Sequence, residues 1–149
     1  MLTRETFEEE LKNAIRSGDD VRKRTIRMVL TSIKFAEVER RETLDEPELL
    51  VVIQKEVKTR REAIEDAKRA DREDLIASAE DELTVLQDYL PQPLKPEELE
   101  DLAHQAIEEV GASGPESMGK VMQVLMPRVQ GRADGKTVST LVQQLLSNR

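Results

Sequence analysis

Leu90-Pro91-Gln92-Pro93-Leu94-Lys95-Pro96 is the stretch on which the reading of this chain turns. Each proline lacks the N–H that an α-helix must bond and has its φ fixed, so three of them within six residues cannot continue a helix. Such a segment predicts a stiff, extended linker. It divides the chain into residues 1–90, a linker at 91–96 and residues 97–149.

Working back from the linker, the first 90 residues contain only Gly18 and Pro47 as helix breakers, and both fall where helices would meet. Phe7, Leu11, Ala14 and Ile15 recur at helical spacing. Thr6 with Glu9 has capping-box spacing, and Thr3 is an equally good cap. Gly18 ends this helix, and Asp19 or Asp20 caps the next, whose apolar face is Ile26, Val29, Leu30, Ile33 and Ala36. A third helix starts near Pro47 with Leu49, Leu50, Ile53, Val57, Ile64 and Ala67 inward, interrupted by Arg60 and Arg61. Asp71 is the expected cap of a fourth, whose Ile76, Ala79, Leu83, Leu86 and Leu90 make a seam at 3-4-3-4 spacing. Pairs such as Glu8–Lys12, Glu37–Arg41, Glu56–Arg60 and Glu65–Arg69 stand in the favourable i, i+4 order. The clusters Arg22-Lys23-Arg24 with Arg27, and Lys55, Lys58, Arg60 and Arg61, read as solvated faces; antiparallel pairing would leave them either adjacent or far apart.

Working forward, Pro96 suits the first turn of a helix, with Glu97 and Glu98 at its positive end. Leu99, Leu102, Ala103, Ala106, Ile107 and Val110 line one face before Gly111 stops it. Ser117 caps a short helix carrying Val121, Val124 and Leu125, which Pro127 ends or bends. Asp134 caps the last, with Val138, Leu141, Val142, Leu145 and Leu146 inward. The expected fold class is all-α: an N-terminal bundle of about four helices and a small C-terminal three-helix domain.

Charge is distributed unevenly. The formal net charge of −8 is made of −6 over residues 1–90, −6 over 91–119 and +4 over 120–149. That last segment holds Lys120, Arg128, Arg132, Lys136 and Arg149 against the single acid Asp134. Gly119, Gly131 and Gly135 stand beside these cations, where a backbone can approach a partner closely. A positive, glycine-punctuated end on an acidic chain suggests a site for an anionic ligand, and the acidic average argues against a general duplex-coating protein. The plainer reading is a helical domain whose glycines only make turns. With no cysteine, disulfides, thiolate metal sites and cysteine nucleophiles are excluded. The charged N-terminus lacks the apolar core of a signal peptide, and no apolar run approaches membrane-spanning length, so a soluble, cytoplasmic protein without a membrane partner is expected.

Motifs for catalysis or metal binding do not assemble. Gly114 to Lys120 fits a phosphate-binding loop until Val121 takes the place of the Mg²⁺-binding hydroxyl. Gly131, Gly135, Lys136 and Thr137 end correctly with one residue too few in the first spacing. Asp134-Gly135-Lys136 nevertheless opens a helix whose first N–H groups suit a phosphate. His104 has no second histidine or cysteine with which to share a metal. Met118, Met122 and Met126 recur every four residues, as core packing or as an adaptable contact stripe. No catalytic residue, metal ligand or cofactor is expected.

The tail, from Leu90-Pro91 through Met118-Gly119-Lys120-Val121-Met122, Leu125-Met126-Pro127, Gly131-Arg132-Ala133-Asp134-Gly135-Lys136 and Val138, resembles the YqeY family. It is also similar to the tail domain of the GatB subunit of the bacterial aspartyl/glutamyl-tRNA amidotransferase. The YqeY resemblance extends upstream through Arg72-Glu73-Asp74-Leu75 and covers essentially the whole chain; the GatB resemblance covers about the last third. It implies a helical bundle joined to a compact three-helix tail that contacts tRNA away from any chemistry. Carried over, RNA contacts fall to Lys120, Arg128, Arg132 and Lys136, with Gly119, Gly131 and Gly135 permitting close approach. These are phosphate or sugar contacts, which position rather than read sequence. The expected function is a tRNA-associated accessory protein, with tRNA or other structured RNA, and the amidotransferase or aminoacyl-tRNA machinery, as partners. Two alternatives stand beside it. One is participation in glutamine-dependent tRNA amidation, the carbon–nitrogen ligase activity associated with the relatives, for which this chain lacks a glutaminase nucleophile and a nucleotide site. The other is a protein-interaction module gripping a partner by the fourth-helix seam or the methionine stripe.

Overall fold

The structure, a computed structural model, describes residues 1–148; Arg149, one of the five basic residues of the tail, lies outside the described residues. Seven α-helices and one short 3₁₀ turn make up its regular structure: α1 (Arg4–Ser17), α2 (Asp20–Arg40), α3 (Glu46–Arg69), α4 (Glu73–Gln87), α5 (Pro96–Val110), the turn Pro115–Ser117, α6 (Met118–Val129) and α7 (Gly135–Ser147). No strand occurs among the described residues, so the fold is all-α. The chain forms two compact units, Met1–Pro91 and the residues from Gln92 onward.

Caps account for most helix boundaries of the first unit. Thr3, rather than Thr6, caps α1: its side chain accepts from Thr6 N, and the Thr6 hydroxyl returns the contact to the Thr3 N–H. Gly18 closes α1 in the left-handed region at φ 72°, which costs glycine nothing. Asp19 caps α2 through Arg22 N–H. Asp45 and Glu48 form a reciprocal capping box at α3, with Pro47 in the first turn near which the sequence placed the start of this helix. At α4 the expectation fails. The N-cap is Arg72, with no side-chain cap bond, and Asp71 is held at φ 55° in the turn before it. The Asp71 side chain is therefore one residue too early to reach the free N–H groups of the first turn.

The core of the first unit is aliphatic, built from Ile26, Val29, Ile33, Leu44, Leu49, Ile53, Val57 and Leu86 around Phe7. A buried side chain of this size contributes roughly 1.5–3 kcal/mol, well above an exposed ion pair. Pairs such as Arg69–Asp66, three-quarters exposed on both sides, add little. Three expectations shift here. Ile15 lies half outside the core, 50% exposed. The fourth-helix seam faces inward, packed on α3 and α2, with Val85 joining it and Leu90 falling beyond the end of the helix. The basic clusters of α2 and α3 are not wholly solvated: Arg24 Nε reaches Glu82 at 3.3 Å and Ser78 accepts from its guanidinium at 3.2 Å. Arg22 pairs with Asp88 at 2.7 Å and donates to Tyr89 Oη at 3.0 Å, beside the Phe7 ring.

Arg60, which the apolar periodicity treats as an interruption of α3, is 3% exposed. Its guanidinium donates to the Glu56 carbonyl at 3.1 Å and to the Glu56 carboxylate, and meets Met28 Sδ at 3.2 Å. Its Nε stands 3.5 Å from Glu82 without a hydrogen bond. Glu82 on α4 thus sits between an arginine of α2 and one of α3, and the two clusters whose separation the sequence left open are neighbours.

The second unit has its own core of Leu99, Ala103, Ala106, Ile107, Ala112, Val121, Leu125, Val129, Val138, Val142 and Leu146. Met118, Met122 and Met126 are half-buried against it, which is the core-packing outcome. Ser117 precedes α6 but makes no side-chain cap bond, because the 3₁₀ turn runs directly into the helix. Pro127 does not end α6, which continues two residues past it to Val129, although proline supplies no N–H for the Gln123 carbonyl one turn back. No helix of the described residues is long and apolar enough to cross a membrane.

Replacing Arg60 with Ala leaves Glu56 and Glu82 facing each other without their shared cation, and unfolding in urea should show a loss of about 3–5 kcal/mol. Arg60→Met, which keeps the packed volume, should still lose stability, while combining it with Glu82→Gln should recover part of that loss. A cost under about 1 kcal/mol for Arg60→Ala would mean that the three side chains do not act as a network.

Candidate nucleic-acid interface

The four described cations of the tail come from different parts of the second unit and have different surroundings. Arg128, near the end of α6, makes a two-pronged contact with Glu109 at the end of α5, at 2.9 and 2.6 Å. The Arg128 hydrogen bond holds the Glu109 carboxyl below the usual carboxylate range, and the same bond raises the Arg128 pKa. Arg132 sits in the loop between α6 and α7. Its Nε donates to the Gln92 carbonyl at 3.0 Å, and its guanidinium stands 3.5 Å from Glu98. Its own carbonyl accepts from Leu94 N–H at 2.9 Å. Both arginines are therefore already engaged in holding α5, the incoming chain and the α6–α7 loop together.

Lys120 and Lys136 differ from them. Both are exposed and neither has an acidic partner among the described residues. Lys120 is in the first turn of α6, which contains no acid. Lys136 is in the first turn of α7, next to a shallow depression lined by Thr137, Thr140, Leu141 and Gln144. The two are not one cluster. A Cβ built on Gly135 would lie 4.0 Å from Met126 Cε, so α7 begins beside the last turns of α6, and Lys120 lies six residues, ~9 Å, further back along that helix. The start of α7 is also less open to a phosphate than its sequence implied. The Asp134 carboxylate caps it, accepting from Thr137 N–H at 2.7 Å, and so occupies the position an anion would take.

The glycines divide in the same way. Gly131 is buried at φ 80°, a conformation the chain needs to turn from α6 towards α7. Gly119 faces open space, where a methyl group would meet nothing within 4 Å. Sequence reasoning selected cations by their local density and could not see Glu109, Glu98 and the Gln92 carbonyl, which lie 19 to 40 residues away. His104 is exposed on α5, its Nε2 3.6 Å from Glu100. Among the described residues no three acidic or histidine side chains gather as a metal ion requires.

A family model described as Yqey-like protein matches residues 4–146, so the resemblance read from the tail holds for nearly the whole chain. Three similar curated proteins are fungal and share the name "Altered inheritance of mitochondria protein 41, mitochondrial". The one from Pyrenophora tritici-repentis is 32% identical over 140 residues, covering 92% of this chain and 77% of that protein. The one from Kluyveromyces lactis is 30% identical over 136 residues, covering 89% and 69%. The one from Vanderwaltozyma polyspora is 36% identical over 85 residues, covering 56% of this chain and 46% of its own.

The Arg128–Glu109 contact carries a pH signature. The folded pKa of Glu109 lies below its unfolded value, so the stability it contributes is present above the unfolded pKa and lost as pH falls through the folded one. Arg128→Ala should therefore lower the denaturation midpoint of the second unit near neutral pH, by a small amount because both side chains are exposed, and the two curves should converge in acid. A gap that stays the same from neutral pH to pH ~3 would contradict the pairing.

Proposed function

We propose that this chain, which belongs to the Yqey-like protein family, is a tRNA-associated accessory protein whose second unit holds tRNA or another structured RNA by its sugar–phosphate backbone. One observation carries the reading. Lys120 and Lys136 stand exposed, without an acidic partner among the described residues, in the last 30 residues, which carry +4 on a chain of net charge −8. Two ammonium groups on separate helix starts suit two separate phosphates better than one small anion. The similarity of this tail to the one that contacts tRNA in the amidotransferase supplies the kind of RNA. Arg128 and Arg132 serve the reading by shaping the surface, and contact with RNA by either would require exchanging a carboxylate or carbonyl partner for a phosphate. No aromatic side chain lies in the tail, so the RNA is held by shape and charge, without stacking of its bases on aromatic rings.

Binding of total tRNA to the purified chain, followed by fluorescence anisotropy across a salt titration, tests this. Affinity should fall with salt, and Lys120→Ala with Lys136→Ala should reduce the slope of log K against log salt by about 1.5–2. Arg128→Ala should chiefly lower stability and leave the slope nearly unchanged. Absence of tRNA binding, or a slope that ignores the two lysines, would sink the proposal.

A further inference from the structure

The outward face of α2 combines two features that a solvated helix does not need. Phe35 is 72% exposed, Val38 68% and Met28 47%. With the exposed Thr31 they occupy consecutive a and d positions of a heptad: Met28 and Phe35 at a, Thr31 and Val38 at d. The opposite face of the helix, with Thr25, Ile26, Val29 and Ile33, fills the core, and Phe35 and Val38 of this second stripe stay exposed among the described residues.

The same register puts Arg27 and Lys34 at successive g positions, seven residues or ~10.5 Å apart, and Arg41 follows at the left-handed residue, φ 60°, that ends the helix. All three are exposed, and none forms an ion pair with an acidic side chain among the described residues. The sequence explains why. Arg27 has no acid three or four residues away on either side of the helix. The only acid so placed for Lys34 is Glu37, which is taken by Arg4 at 2.8 Å. Several other arginines of the unit do find carboxylates, as Arg22, Arg24 and Arg60 do. Arg60 also reaches through from α3 to Met28 Sδ, and the Ser32 hydroxyl at the e position bonds to Glu56, so the seam is braced from behind and closed on that side.

We infer that this face docks one amphipathic helix of a partner protein, with apolar side chains in the seam and acidic side chains opposite Arg27, Lys34 and Arg41. An apolar 3-4 stripe flanked on one side by Arg27 and Lys34, with Arg41 at its end, is what a helix of opposite charge complements. Other occupants fit less well. RNA phosphates would meet the cations and one base could stack on Phe35, but Met28 and Val38 would gain nothing. An anionic bilayer would face Glu39 and Glu42 beside a stripe only one side chain wide. A second copy aligned in parallel would bring Glu39 to Lys34 but Ser32 to Arg27. The inference is independent of RNA binding by the second unit.

The test uses the full chain and two fluorescent synthetic helices of three heptads, with Leu at a and d and either Glu or Lys at e and g. The Glu helix should bind at least about tenfold tighter than the Lys helix, a difference well within what three charge contacts supply. Phe35→Asp with Val38→Asp should abolish binding while circular dichroism and the melting temperature stay unchanged, since both side chains are exposed. Arg27→Glu with Lys34→Glu and Arg41→Glu should invert the preference towards the Lys helix. Equal affinity for both helices, or binding that survives the Asp pair, would overturn the proposal. So would a wild-type dimer in sedimentation, tRNA binding or adsorption to phosphatidylserine vesicles that the Asp pair removes, because each would assign the face to another occupant.

Discussion

Glu82 is the side chain on which the first unit depends. It stands on α4 with Arg24 of α2 on one side and Arg60 of α3 on the other, at 3.3 and 3.5 Å. Aliphatic packing supplies most of the stability of such a bundle, but leucines and valines pack in more than one register. A carboxylate that must meet two particular arginines, one of them 3% exposed, accepts far fewer arrangements. Desolvating these charges consumes much of what their attraction returns. Their contribution is therefore to which helix lies where, more than to how firmly the helices are held.

That division explains which parts of the fold were legible in the sequence. Helices α1 to α7 and most of their inward faces follow from local patterns: Phe7 and Ala14 in α1, Ile26, Val29 and Ile33 in α2, Val138, Val142 and Leu146 in α7. Misplaced features were those set by neighbours distant in sequence or by local backbone geometry. Ile15 has helical spacing but points off the seam, and Arg60 sits on the inward face because its charge is met by Glu56 and Glu82. Asp71 has the chemistry of a cap but is spent on a left-handed turn.

The candidate RNA surface was less legible than the fold. Counting cations between residues 120 and 149 treats Arg128 and Lys120 alike, although one is clamped by Glu109 and the other is unpaired. A bidentate partner on another helix leaves no trace in local composition. The exposed stripe on α2 was invisible for the converse reason. Phe35 and Val38 look like ordinary helix residues until the opposite face is seen to fill the core by itself. Local density of charge thus marks where a ligand is attracted, while the balance left after internal pairing marks what remains to hold it.

Arg132 ties the incoming chain to the second unit three ways: Nε to the Gln92 carbonyl, its own carbonyl to Leu94 N–H, and its guanidinium near Glu98, with Leu94 packed into the core. The prolines at 91, 93 and 96 keep this strap from folding into a helix before it docks. The second unit thereby carries its own entry segment. The core behind it is built entirely from residues that follow Gln92, so the strap and the core belong to one continuous stretch of chain. A graft that begins at Pro96, where the helix begins, would leave the strap behind.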